Sequence, residues 1–247
     1  MTIRLPFLDP HQPDDFPPVR EALRDPDGLL AAGGDLSPAR LLAAYRRGIF
    51  PWYSRGQPIL WWSPDPRTAY LTAHMHVPRR LARWLRDCTW TITADTAFEA
   101  VVRSCAAPRP KQRGTWITAD MRAAYLRLHE LGHAHSVEVW DGDSLAGGIY
   151  GVAVGRMVFG ESMFSAADNG SKVALLALAR AMHAWGCPLL DAQVASPHLF
   201  TLGAVELDRT DFCRRVAALA AMPGVEGSWR RIFPAFAPAE LAARPAP

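Results

Sequence analysis

Two short pieces of this chain set acids and amides among strand-like neighbours: Gly160-Glu161-Ser162-Met163-Phe164-Ser165 and Leu189-Leu190-Asp191-Ala192-Gln193. A carboxylate in the low dielectric of a packed sheet is costly unless something compensates it. Glu161 and Asp191 therefore each need a reason. One is structural: an acid satisfied by backbone donors, or a turn cap. The other is chemical. Asp191 and Gln193 alternate along an extended segment and project to one side of it, where both can act on one substrate.

A second pattern, His129-Glu130-Leu131-Gly132-His133, matches H-E-x-x-H, in which two imidazoles one helical turn apart bind zinc and the Glu activates water. Gly132 terminates helices, and His133-Ala134-His135-Ser136-Val137 reads as entry to a strand, so the helix ends where its second ligand is needed. Cys88, Cys105, Cys187 and Cys213 form no C-x-x-C pair and read as free thiols of a reducing compartment. Phosphate-cradling glycine loops are absent, and Asn169-Gly170-Ser171-Lys172 is a weak anion site at a helix start. The Arg or Gln followed by spaced glycines that a coenzyme A acetyltransferase carries there is also missing. The expectation is no metal and no cofactor.

These groups need elements to hold them. With 247 residues, 49% of them hydrophobic, the chain can bury a full core. Residues 1–66 read as a small N-terminal domain: a Pro-rich entry, Ser37-Pro38 as cap and first turn of a helix through Tyr45, Gly48 as its stop, then an aromatic stretch kept from regular helix by prolines and Gly56. Residues 67–247 alternate. Strands are expected near 67–72, 89–93, 135–140, 145–154, 156–161, 188–193 and 204–208. Helices are expected at 78–87, 96–106, 119–131, 170–185 and 211–221, with a short helical turn after 193. The class is α+β, a mixed sheet flanked by helices, and the order of hairpins feeding a helix and a further strand resembles acyltransferases of the GNAT type.

The start Met1-Thr2-Ile3-Arg4-Leu5-Pro6 lacks an apolar run of signal-peptide length, and Arg180 and His183 interrupt the longest apolar helix, so a cytoplasmic chain without membrane contact is expected. Net charge is only +3, yet residues 79–113 hold Arg79, Arg80, Arg83, Arg86, Arg103, Arg109, Lys111 and Arg113 against Asp87, Asp95 and Glu99. That stretch is either a polyanion-binding face or the solvated surface of an arginine-rich chain. Trp52 and Trp116, beside Gly, Pro and Thr, are candidates for stacking on a ligand, whereas Trp61 and Trp62 suit core packing.

Side by side, the blocks Gly33-Gly34-Asp35-Leu36, Gly48-Ile49-Phe50-Pro51-Trp52, Trp61-Trp62-Ser63-Pro64-Asp65-Pro66-Arg67, Gly114-Thr115-Trp116-Ile117-Thr118, His129 to Ser136, Gly160 to Ser165 and Asp191-Ala192-Gln193 resemble the leucyl/phenylalanyl-tRNA protein transferases. The resemblance implies transfer of Leu or Phe, less readily Met, from aminoacyl-tRNA to an N-terminal Arg or Lys of a protein, marking it for the N-degron pathway. No cofactor is implied, and a monomer is expected. It further implies Asp191 as the group that orients or deprotonates the amine, Gln193 as its geometric partner, and Glu161 as binder of the cationic acceptor or source of the local field. Substrate would be held by Trp52 and Trp116 around the terminal adenosine, with Tyr45, Met163 and Ser165, and the acceptor stem by Arg79, Arg80, Arg83 and Arg86. Alternatives are a coenzyme A thioester acyltransferase, a zinc protease on His129 and His133, and an RNA-binding module without catalysis.

Overall fold

The computed structural model describes residues 5–108, 115–225 and 227–243. Of the sequence reading, Met1 to Arg4, Arg109, Lys111, Arg113 and Gly114 lie outside these residues. The fold is α+β. A small four-stranded sheet comes first, from β1 (Phe7–Leu8), β2 (Leu29–Gly33), β3 (Phe50–Pro51) and β4 (Leu60–Trp62) in the order β1-β2-β4-β3. Between β2 and β3 lies α1 (Pro38–Arg46), which starts where the Ser37 side chain accepts from the Arg40 N–H. It stops at Gly48, whose φ of 73° only glycine adopts freely and where a Cβ would lie 3.0 Å from Cys213 Sγ and 3.1 Å from the Phe212 ring.

The main sheet is built from β5 (Arg67–Leu71), β6 (Thr91–Ala94), β7 (Ala134–Asp141), β8 (Ser144–Val154), β9 (Met157–Ser165), β10 (Leu189–Gln193) and β11 (Val205–Leu207). Its order is β11-β5-β10-β9-β8-β7-β6. Hairpins make β7, β8 and β9 antiparallel neighbours, whereas β9 and β10 run parallel, joined by the crossover helix α5 (Gly170–Ala184). Alternation sends successive side chains into two cores. Tyr150, Val152, Met157, Phe159 and Leu189 join α3 (Phe98–Ala106), α4 (Ala119–Glu130) and α7 (Arg209–Ala220) on one face. Ile149, Val158 and Leu190 join α5 and α2 (Arg79–Asp87) on the other.

Leu30, Leu41, Tyr45 and Trp61 from the N-terminal region enter the first of these cores, so the small sheet and α1 pack directly onto the main sheet. The small sheet was not expected from the sequence, and in residues 67–247 the substantial departure is β9, expected to end near 161 but running on to Ser165. The apolar run breaks at Glu161 because an extra residue enters the ladder there. Tyr150 pairs with Ser162 and Gly151 with Gly160, leaving Glu161 on a bulge, a device that re-aims a side chain. Elsewhere element ends shift by one or two residues, as at β6, which begins at Thr91.

Candidate active site

The parallel pairing of β10 with β9 runs through Leu189↔Met157, Leu190↔Val158 and Asp191↔Phe159 and goes no further, while β9 continues for six more residues to Ser165. Past that fork a cavity of about 890 Å³ opens, lined among others by Trp52, Trp116, Glu161, Met163, Gln193 and Ser196. A smaller pocket of about 100 Å³ adjoins it, walled by Tyr70, Ile149, Met163, Leu175, Leu190 and Leu199. The two share Glu161, Ser162, Met163 and Ala192, so they meet at the fork. Gly160 stands at the branching point, where a Cβ would lie 3.1 Å from the Asp191 carbonyl oxygen.

Glu161 is buried, and three hydrogen bonds reach its carboxylate, leaving Oε2 with one acceptor position. Oε1 accepts from the Tyr45 hydroxyl at 2.8 Å and from Gln193 Nε2 at 2.8 Å, and Oε2 accepts from the Tyr125 hydroxyl at 2.5 Å. The two hydroxyls also contact each other at 2.9 Å. Burial raises the Glu161 carboxyl to about 7, against the pull of the two tyrosine hydroxyls and of Arg67, and with Asp191 adding to the rise. The same burial and the neighbouring carboxylate push both tyrosines well above their ordinary range, so they act as neutral donors. A carboxyl near 7 changes charge at neutral pH, as acid–base catalysis requires.

Asp191 has a different environment. Arg67 clasps it from both sides of the carboxylate, Nε to Oδ1 at 2.8 Å and Nη2 to Oδ2 at 2.6 Å, and donates its remaining Nη1 to the Gly48 carbonyl at 3.2 Å. The guanidinium lies between the rings of Phe50 and Phe212, at 4.6 and 4.7 Å from their centres. Arg67 and Asp191 are both wholly buried. Asp191 Oδ1 also accepts the Gln193 backbone N–H at 2.9 Å, and Gln193 takes a left-handed φ of 61°. For a non-glycine residue that conformation costs on the order of 1–3 kcal/mol. Thus Asp191 and Gln193 are linked by a turn with a register shift, not by plain alternation, and Gln193 meets Glu161 because of it.

The remaining site candidates divide. Trp52 and Trp116 both line the large cavity, and Trp52, 41% exposed, leans on Trp62, which donates its indole N–H to the Trp52 carbonyl. Met163 lines both spaces. Tyr45 lies beneath Glu161 without lining either cavity. Ser165 is turned away, its hydroxyl accepting the Ser171 N–H at the head of α5. Arg79, Arg80, Arg83 and Arg86 are exposed along α2, whose Leu81 and Leu85 are buried on the side of the sheet that carries the small pocket. The H-E-x-x-H pair is split as its glycine dictates. The His129 ring stacks on Phe98 at 4.1 Å with Nδ1 2.7 Å from the Ala134 carbonyl oxygen, and His133 follows the end of α4 to line a surface groove with Arg46.

Tyr125, Arg67, Tyr70 and Leu199 were not singled out by sequence. Met121, Tyr125 and Leu128 show the spacing of an ordinary core stripe, and the Arg67 partner is 124 residues away.

A family model described as leucyl/phenylalanyl-tRNA protein transferase matches residues 70–217, and one for the N-terminal domain of the same proteins matches residues 34–65. Relatives carrying the name leucyl/phenylalanyl-tRNA–protein transferase include a protein of Xanthomonas axonopodis pv. citri, 60% identical over 93% of this chain and 93% of its own length. Another, of Xanthomonas euvesicatoria pv. vesicatoria, is 63% identical over 87% and 86%. A third, of Xylella fastidiosa, is 56% identical over 92% and 94%.

Proposed function

The chain belongs to the leucyl/phenylalanyl-tRNA protein transferase family and is an aminoacyltransferase, and from that premise we propose that it moves Leu or Phe, and less readily Met, from aminoacyl-tRNA to the α-amino group of proteins beginning with Arg or Lys. The new peptide bond marks those proteins for the N-degron pathway. The observation that carries this reading is the fork between β9 and β10, with aromatic platforms on one side, an apolar pocket on the other and Glu161 and Gln193 between them. Its large cavity, at about 890 Å³, is of the size that holds an adenosine bearing an amino acid.

In this reading Trp52 and Trp116 stack on the terminal adenosine. The Leu or Phe side chain passes the fork, where Gly160 and Ala192 leave room, into the pocket of Ile149, Met163, Leu175 and Leu190. The ester is already activated, so the protein's task is to align a neutral amine with its carbonyl. An α-amine has a pKa of about 7.7–8.0 and must shed a proton to attack. With Nε2 committed to Glu161, the Gln193 side-chain oxygen is the acceptor that aligns the amine. Glu161, titrating near neutrality, receives its proton. The neutral nitrogen bonds to the carbonyl carbon, the carbon–oxygen bond to the ribose breaks, and the ribose oxygen leaves with the second proton that the nitrogen sheds on becoming an amide. Asp191, held by Arg67, orients Gln193 instead of acting on the amine itself.

The arginines of α2 serve the acceptor stem through phosphate contacts. The enzyme works as a cytoplasmic monomer, with its N-terminal domain ending at residue 66. The test is an incubation with labelled leucyl-tRNA and a peptide beginning with Arg. Label enters the peptide, ribonuclease abolishes transfer, chelator does not, and a peptide beginning with Glu stays unlabelled. Transfer from leucyl-coenzyme A, or loss with chelator and recovery with zinc, rules the reading out.

A further inference from the structure

The small pocket has one wall unlike the rest. Tyr70, Ile149, Met163, Leu175 and Leu190 come from strands of the main sheet or from α5, whereas Leu199 comes from α6 (Pro197–Phe200), a single helical turn following Gln193. That turn is held to the sheet by the Tyr70 hydroxyl, which donates to the Leu199 carbonyl at 3.0 Å. The neighbouring Phe200 is 42% exposed. Tyr70 is itself buried and lines the pocket, so one residue both forms the wall and ties down the piece of chain opposite.

Pocket size makes that tie consequential. At about 100 Å³ the space takes a branched four-carbon side chain. An apolar cavity that holds benzene measures about 150 Å³. A benzyl side chain reaching the end of this pocket therefore presses on its walls more than an isobutyl one does. Strand and α5 residues are locked by sheet pairing and by regular helix, whereas the Leu199 turn packs its side chain against the second core and is tied to β5 by the Tyr70 bond.

We propose that Tyr70 determines which amino acid this enzyme transfers, by holding the Leu199 turn at a distance that admits Leu readily and Phe only when the turn yields. The inference rests on the transfer reading above and goes beyond it in assigning the donor preference, Leu over Phe, to one hydrogen bond.

The experiment compares kcat/KM for transfer from leucyl-tRNA and from phenylalanyl-tRNA to the same Arg-initiated peptide, in the parent enzyme, Tyr70→Phe and Leu199→Ala. The parent favours Leu. Tyr70→Phe keeps the ring and loses the tie, and shifts the Phe-to-Leu ratio upward by about fivefold, the worth of one hydrogen bond. Leu199→Ala, which deepens the pocket directly, shifts it by about tenfold or more. A defect that is merely structural lowers both rates together and leaves the ratio in place, and that result in Tyr70→Phe overturns the proposal. So does a parent enzyme that favours Phe. A parent enzyme that transfers neither residue overturns the transfer reading itself, which is a separate outcome.

Discussion

Arg67 and Asp191 form a two-pronged ion pair at 2.8 and 2.6 Å with both residues wholly buried, and the backbone N–H of Gln193 shares the Asp191 carboxylate. Removing one partner of a buried pair strands the other charge, at about 3–5 kcal/mol. Asp191→Ala should lose that much stability, read as a lower urea midpoint with unchanged slope. The double change Arg67→Met with Asp191→Leu should recover most of it while transfer stays lost, because Gln193 is no longer held in its left-handed turn. Recovery of activity in the double variant would show that the pair does nothing for Gln193.

The second expectation concerns pH. Glu161 titrates near 7 in the folded chain and near about 4.3 in the unfolded one. The folded state thus holds the proton more tightly, so this group's contribution to stability is complete below about pH 4.3 and is lost as pH rises through 7, roughly 4 kcal/mol in all. Activity runs the other way, since only the ionised carboxylate accepts a proton, and kcat/KM should climb through pH 7. In Glu161→Gln the stability slope should vanish, together with that limb of the rate profile, and the rate itself should fall by about 10²–10⁴. An unchanged limb in Glu161→Gln would assign it to the acceptor amine alone.

Trp52 and Trp116 both line the large cavity, Trp52 being 41% exposed. Replacing either by Ala should weaken donor binding by about 1–3 kcal/mol, seen as a raised KM for leucyl-tRNA, with kcat less affected. Phe at the same positions should restore most of the loss. A pure kcat effect would remove them from adenosine binding.

For the exposed arginines of α2, the measure is salt. Each of Arg79, Arg80, Arg83 and Arg86 that touches a phosphate should, on change to Ala, reduce the slope of log K against log salt for tRNA binding by nearly 1, without altering the choice between Leu and Phe. An unaltered slope in the fourfold variant would leave α2 as a solvated surface.

Much of this was legible in the chain itself. The helix start at Ser37 was marked by a side chain that does cap, on Arg40, whereas the cap of Thr118 on Met121 was not read, and the parallel return of β10 beside β9 follows from a strand, an apolar helix and a second strand in succession. Glu161, Asp191 and Gln193 stood out because polar groups among strand residues are anomalous. What stayed hidden depended on distance in sequence. Tyr125 reads as core, and is core, until Glu161 arrives from another element to accept its hydroxyl. Arg67 looks like the first residue of a strand, and its significance lies in a carboxylate and two aromatic rings brought from far along the chain. The brief strand at Phe50–Pro51 carried no period long enough to detect.

The point where β9 outruns its neighbour leaves a stretch of strand edge bordering the cavity. An edge of that kind offers peptide groups, which are the same whatever residues carry them. Recognition through it is indifferent to side-chain replacement, whereas the hollows to either side can be reshaped one residue at a time. Changes in those hollows can therefore alter what they admit while the strand edge between them stays as it is.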